Sequence, residues 1–391
     1  MAERNVVDTL HWLAELAPVR LTGTPAEREA QDAIAARLED AGYTAERQPF
    51  RFPRHIYGSL ALHFGLALAL VWVAPYSPVA AAVGHLVVAL SFFSEAVWRR
   101  HLLRLLWPRV DTQNLKMTLP ADGELKRRVV LLAHVDSAFT GFMFSPNVLK
   151  RFAKPAPSYL PFLKKQLFLP FFCLLVFAGL EFASLDLPTP VRSLLSLPFV
   201  LVFLLNADIV IRNTVVPGAA DNLSGCAAQV VLAEAWAKDP EPGVEVVFVF
   251  TGAEEAGTGG AAYLSRHNDW DPTITDVLVL DTLSNGDLHV LEEGELFSIR
   301  VPPTLLEAAR GAADDVGHPE PTVYPVPAGA TDALPFLVAG FRAMSLTCID
   351  PEMHAPRHYH HPTDTADNVD PVQLEASTRV AQALLRRVAR A

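Results

Sequence analysis

Two stretches of the chain break the usual mixture of polar and apolar positions. Residues 56–74 carry no formal charge, Pro75-Tyr76-Ser77-Pro78 follows, and residues 79–98 then hold Glu95 as their one charged side chain. About 20 apolar residues cross a bilayer core, and in lipid the backbone has to satisfy its own hydrogen bonds, as a helix does. The pattern predicts a transmembrane helical hairpin over 56–98. A second apolar pair, 167–180 and 193–205, is shorter on each side and is interrupted by Glu181, Asp186, Pro188, Pro190 and Arg192. It predicts a weaker hairpin over 167–205, inside an insert spanning 137–212, that either crosses with those polar residues at the interface or lies in the membrane surface.

The remaining sequence, 1–50 and 110–391, alternates helical and strand patterns. Thr24-Pro25-Ala26-Glu27 reads as an N-cap hydroxyl, a proline at the first helical position and a capping-box acid, and Ala30, Ile34 and Leu38 continue one helical face to Gly42. Short apolar runs at 129–133, 244–250 and 277–280 are rich in β-branched residues, and helical patterns follow at 223–238 and 260–266. This order predicts an α/β fold, a mostly parallel central sheet flanked by helices and interrupted by the two hydrophobic hairpin inserts.

Composition narrows the classes. With 51% hydrophobic and 19% charged residues in 391, an extended disordered chain is excluded. A net charge of -11, with no basic helix or finger spacing, argues against a nucleic-acid partner. Cys173, Cys226 and Cys348 are too few and too scattered for a disulfide framework, and the start of the chain lacks a secretory pattern. Arg51, Arg54, Arg99, Arg100, Arg104, Arg109, Lys150, Arg151, Lys154, Lys164, Lys165 and Arg212 flank the hairpin bases, whereas the turns carry only Arg192. The positive-inside rule therefore predicts a multi-pass protein of the cytoplasmic membrane, with a lipid bilayer as partner and its α/β domain facing the cytoplasm.

The apolar strands run directly into ligand-type residues. Residues 129–133 lead into His134-Val135-Asp136, 244–250 into Glu254-Glu255, and 277–280 into Asp281. In open α/β sheets the crevice beyond the strand C-termini is where ligands bind. Asp221 stands in a glycine-bounded turn before a helix, and His358-Tyr359-His360-His361 supplies imidazoles near the end. Singly these are ordinary caps and surface residues; five such clusters in one domain point to oxygen and nitrogen ligation of borderline divalent ions.

With these motifs the chain resembles the zinc metallopeptidases of family M28, over roughly 5–50 and 110–385. The resemblance implies a zinc exopeptidase-like fold, two zinc ions and a short peptide substrate. His134 and Asp281 would complete one site and Glu255 and His360 the other, with Asp221 bridging; His361 and His358 compete with His360. Glu254 would be the general base, Asp136 would hold the second ring nitrogen of His134, and Tyr359 would donate to the oxyanion. Two departures stand out: residues 137–220 replace a short connection, and Ala333 in Thr331-Asp332-Ala333-Leu334-Pro335-Phe336 stands where histidine is common. The leading expectation is a membrane-associated aminopeptidase. A carboxypeptidase or other amidohydrolase, with Arg342 or Arg357 for a terminal carboxylate, and a catalytically silent scaffold are the alternatives; oligomeric state is left open.

Overall fold

The computed structural model describes residues 5–155 and 164–391; residues 156–163 of the expected second insert, and the first four of the chain, lie outside them. Its strands are β1 (Thr44–Pro53), β2 (Arg109–Leu119), β3 (Arg127–His134), β4 (Phe139–Thr140), β5 (Thr214–Val215), β6 (Val244–Thr251), β7 (Thr275–Leu280), β8 (Asp287–Glu292), β9 (Thr322–Pro325) and β10 (Arg342–Ile349). Eight form one sheet in the order β1-β2-β6-β3-β7-β10-β8-β9, while β4 and β5 pair separately. The sheet is parallel at its centre, from β6 through β3 and β7 to β10. It is antiparallel where β2 joins β6, β1 joins β2 and β8 joins β10.

Side chains alternate across a strand, and here the alternation divides the core. Val129, Leu131 and Ala133 of β3, with Val246, Phe248 and Phe250 of β6, face one layer. Val130, Leu132, Val247 and Val249 face the other. Because both faces are covered, these strands read as continuous apolar runs.

The helices are α1 (Val6–Leu16), α2 (Pro25–Glu39), α3 (Ile56–Val73), α4 (Pro78–Trp98), α5 (Pro146–Phe152), α6 (Phe168–Phe182), α7 (Thr189–Arg212), α8 (Ser224–Lys238), α9 (Gly259–Leu264), α10 (Pro303–Asp315), α11 (Ala333–Val338) and α12 (Pro371–Arg390). Leu10, Ile34, Trp236, Leu305 and Leu384 bring α1, α2, α8, α10 and α12 onto the first face. Leu264 and Phe336 bring α9 and α11 onto the second. The start of α2 differs from the expected capping box. Thr24 makes no side-chain cap; its hydroxyl donates to the Leu21 carbonyl at 2.7 Å. Glu27 instead accepts from the Gly23 amide at 2.7 Å and the Thr112 hydroxyl at 2.8 Å, because its side chain is buried against β2.

Helices α3 and α7 pack together, as do α4 and α6, with α3 and α4 joining the two pairs. Three of them, α3, α4 and α7, are long and apolar enough to cross a membrane; α6 has 15 residues. The second pair differs from its expected bounds: α7 runs for 24 residues and absorbs Arg192, Asp208 and Arg212. These charges do not break it, since Arg192 pairs with Asp186 at 2.6 Å and Arg212 with Asp208 at 2.7 Å, one turn apart.

The interior of this bundle is an apolar core, with Phe64, Phe92, Phe177 and Phe199 buried, that also encloses several polar side chains, and its outside is apolar as well. Ser59, His63, Ser91 and Glu95 lie buried, and His85 on α4 meets Glu181 on α6 at 2.7 Å, whereas Leu86, Leu90, Phe172, Leu194, Leu204 and Ile211 are exposed. An exterior this apolar departs from the surface water selects, and buried polar side chains paired inside such a bundle suit an apolar surrounding. At the bases, some of the basic residues counted for orientation are consumed by the α/β part. Arg99 pairs with Glu295 at 2.5 Å, and Lys165 donates to the Val326 carbonyl at 2.7 Å. Arg104 pairs with Glu95 at 2.9 Å and donates to the carbonyls of Pro53 and Ala256.

Candidate metal centre

Parallel pairing of β6, β3 and β7 aligns their C-terminal ends, with His134 opposite Thr251. The loop after β6 therefore delivers Glu254 and Glu255 beside His134, and Asp281 follows directly on β7. Asp221 arrives from the turn before α8. Gly218 opens that turn at φ +66°, and a Cβ there would sit 2.4 Å from the Asp221 carbonyl oxygen, so the turn requires glycine. The Asp221–Asn222 peptide is cis.

The carboxylate of Asp221 lies between two imidazoles. Its Oδ1 is 3.1 Å from His134 Nε2 and its Oδ2 is 3.4 Å from His360 Nε2. Glu255 Oε2 is 3.2 Å from His360 Nε2, and Glu254 Oε2 is 3.9 Å from His134 Nε2. One ligand atom each from His134, Asp221 and Glu255 falls within 4.8 Å of the others. His361 is not brought into this group: it is half-buried, and its Nδ1 meets the Thr363 hydroxyl at 2.8 Å. His358 meets the same hydroxyl at 2.7 Å. The Tyr359 ring lies against His360, with centroids 4.0 Å apart.

Several positioning contacts are long-range. The Asp136 carboxylate does not form the expected bond to His134. Nδ1 of that ring is 3.1 Å from the Asp136 backbone carbonyl and 3.8 Å from its carboxylate. The carboxylate instead accepts from the amides of Glu254 and Glu255 at 3.0 and 3.2 Å and from the Thr22 hydroxyl at 2.8 Å. Asp364 accepts from the amides of Ala220 and Asp221 at 2.7 and 3.1 Å, fixing the turn. Arg20, fully buried, donates to the carbonyls of Val135, Ala17 and Gly218 at 2.7, 2.8 and 2.8 Å. Tyr57, on the first turn of α3, places its hydroxyl 3.0 Å from His360 Nδ1. No local sequence signal marks Arg20 or Tyr57.

Electrostatics set the character of the cluster. Burial pushes Glu254 well above the usual carboxylate range; His134 pulls it down, and Asp332, Glu255 and Asp281 push it further up. Burial likewise raises Asp281 to about 7 and Asp332 to about 6. Burial disfavours a charged His360, but Glu255 and Asp221 outweigh it and hold the ring at about 10. Asp221 is held low by both imidazoles despite its burial. Two buried oxygens, Asp221 Oδ2 and Glu255 Oε1, make no hydrogen bond among the described residues. Crowded carboxylates, two imidazoles and unsatisfied oxygens fit a borderline divalent cation such as zinc.

Of the candidates for binding a substrate carboxylate, Arg342 sits at the start of β10, the edge opposite the crevice, and pairs with Asp276 at 2.6 Å. Arg357 pairs with Asp350 at 2.6 Å. Ala333 is buried as the first residue of α11, and the neighbouring Asp332 accepts from the Thr251 hydroxyl.

Residues 205–385 match the family model for Peptidase family M28. That span includes Asp221, Glu254, Glu255, Asp281 and His360, and excludes His134 and the first hairpin. No curated protein matches the sequence. Among solved structures, a zinc aminopeptidase from Bacillus subtilis is similar at 14% identity and a TM-score of 0.58, covering 97% of this chain and 93% of that one. A glutaminyl cyclase from Porphyromonas gingivalis is similar at 14% and 0.57, covering 97% and 96%. An aminopeptidase from Aneurinibacillus sp. strain AM-1 is similar at 15% and 0.58, covering 98% and 93%. At this identity the likeness is one of fold: an α/β sheet of the zinc exopeptidase type, here carrying helical inserts.

Proposed function

With residues 205–385 matching Peptidase family M28 on a fold shared with zinc aminopeptidases, we propose that the protein is a membrane-embedded dizinc aminopeptidase acting on short peptides. The observation that carries this reading is Asp221, whose two oxygens each face a different imidazole. His134 and Asp281 would hold one ion, Glu255 and His360 the other, and Asp221 both. Ions bound there polarise the scissile carbonyl and make water a nucleophile near neutral pH. Glu254, at the same crevice with a raised affinity for protons, accepts a proton from the attacking water and returns it to the leaving amine. Asp136 holds the amides of Glu254 and Glu255 in place, and Tyr359 donates its hydroxyl to the developing oxyanion.

Phe144 lies against His360, with ring centroids 4.5 Å apart, and belongs to an apolar cluster with Tyr57, Phe139 and Ile209, which favours small apolar peptides. The excess of base-side arginine and lysine favours a cytoplasmic crevice, and the outward apolar faces of α4 and α7 favour lipid as their surroundings. A carboxypeptidase reading loses both of its candidate arginines to Asp276 and Asp350.

Metal content of the detergent-purified protein and of Glu254→Gln, measured beside hydrolysis of free and N-acetylated peptides, tests the reading. The expected result is two divalent ions in both proteins, with release of the N-terminal residue by the wild type alone and from free N-termini alone. Loss from the C-terminus would favour the carboxypeptidase, and loss of ammonia from an N-terminal glutamine would favour cyclase chemistry. Absence of both metal and turnover would leave a silent scaffold.

A further inference from the structure

The two imidazoles of the centre are oriented by different parts of the chain. His134 Nδ1 lies 3.1 Å from the Asp136 backbone carbonyl, two residues along its own segment. His360 has no such neighbour within its own loop: among the described residues the hydrogen-bond partner of its Nδ1 is the Tyr57 hydroxyl, at 3.0 Å and 303 residues away. Tyr57 belongs to the first turn of α3, so the acceptor for this ring comes from a membrane hairpin and not from the α/β part.

We infer that Tyr57 is a positioning residue for His360, and that the first hairpin thereby completes the half of the metal centre formed by His360 and Glu255. The inference rests on the dizinc reading. When His360 Nε2 faces a cation its Nδ1 carries the hydrogen, and the Tyr57 oxygen accepts it. This fixes the tautomer and the plane of the ring, the role that a partner on the second nitrogen plays at metal-binding histidines. The tyrosine and the helical turn that carries it are packed in place. Its ring meets Phe144 edge-on, with centroids 6.1 Å apart, and it is buried. The next residue, Gly58, lies so close under the Trp107 indole that a Cβ would come within 2.4 Å of the ring. From the far end of the hairpin, Arg104 donates to the Ala256 carbonyl directly after Glu255. The hairpin base therefore meets His360 directly and, on the opposite side of this half of the centre, the residue that follows Glu255.

The test is divalent-ion titration of the full-length protein in detergent, with zinc in competition against a chromogenic chelator and with cobalt read by its visible absorption. Tyr57→Phe keeps the ring and its packing and removes only the oxygen. The expected result is an unchanged tight step and a second step weakened by about 10 to 100-fold, with an altered cobalt spectrum in that step alone. Trp107→Phe disturbs the same helical turn without touching an imidazole and is expected to bind both ions as the wild type does. Melting of the chelator-treated proteins separates misfolding from metal loss: Tyr57→Phe should match the wild type without metal and gain less on adding zinc. Two wild-type steps in Tyr57→Phe, or equal weakening by Trp107→Phe, would overturn the role of the hydroxyl while leaving the dizinc reading intact. A wild type that binds no divalent ion would overturn both.

Discussion

Arg20 is the strongest single tie between the end of β3 and the Asp221 turn, and replacing it gives a quantitative test of the site's framework. Its guanidinium donates to three buried carbonyls, on Val135, Ala17 and Gly218, at 2.7 to 2.8 Å. Hydrogen bonds to a charged group contribute about 1.5 to 3 kcal/mol each, so three amount to about 5 to 9 kcal/mol. Burial opposes this, lowering the guanidinium to about 10, a penalty of about 3 kcal/mol at one pKa unit per 1.4 kcal/mol. The bonds win, and Arg20→Met should cost about 2 to 6 kcal/mol, since the methionine fills the volume but donates nothing. At about 2 °C per kcal/mol for a chain of this size, the metal-free protein should melt about 4 to 12 °C below wild type. Arg20→Lys keeps the charge without the planar fork and should fall between the two. Thermal unfolding in detergent with excess chelator reads both variants. Melting of Arg20→Met within about 1 °C of wild type would refute the reasoning, because it would mean that burial cost cancels all three bonds.

Asp221→Asn should lower ion content at both halves of the centre at once, read by elemental analysis; loss confined to one half would remove Asp221 from the bridging role. Asp136→Asn leaves one acceptor oxygen for three donors, from Glu254, Glu255 and Thr22. Turnover should fall about 10 to 100-fold with both ions retained, whereas loss of ions would return Asp136 to direct support of His134. Burial raises Asp281 and Asp364 to about 7 and Glu27 to about 8; His360, against burial, is held at about 10 by Glu255 and Asp221. In each case the folded protein keeps protons that the unfolded chain has released. The stability these groups contribute without metal is therefore lost as pH rises, from about 4 through 7 to 8 for the carboxyls and from about 6.5 through 10 for His360. The chelator-treated protein should melt higher at about pH 5.5 than at pH 8, and zinc should reduce or reverse the difference because the ligands must be deprotonated to bind it. Greater metal-free stability at pH 8 would count against the buried carboxylate cluster.

His134, Glu254, Glu255 and Asp281 were legible because each follows an apolar run by a few positions, so that strand and chemistry share one local pattern, whereas Asp221 and His360 stood out only through a glycine-bounded turn and a histidine cluster. What surrounds them was not, since Tyr57 and Arg20 act across 303 and 198 residues. The family resemblance implied a bond from the His134 ring to the Asp136 carboxylate, but the carboxylate is claimed by two amides of a loop far along the chain. The length of α7 was hidden because Arg192 read as part of the turn and Arg212 as a base beyond the hairpin until their partners are known. Strand β1 was invisible for a related reason: its pattern of exposed and half-buried residues, Thr-Ala-Glu-Arg-Gln-Pro-Phe-Arg-Phe-Pro, lacks clear alternation, and β2 supplies its register along the full length.

The order of strands in the central sheet also sets a timetable for biogenesis. Strand β3 emerges from the ribosome after the first hairpin, yet both of its neighbours, β6 and β7, are encoded beyond α7. Its apolar stretch, Val129 to Ala133, thus waits without a sheet partner throughout synthesis of the second hairpin. An unpaired apolar strand is an aggregation hazard during synthesis. The crevice can close only when β6 and β7 have arrived, so both apolar helix pairs are synthesised before His134, Asp221 and Glu255 can come together.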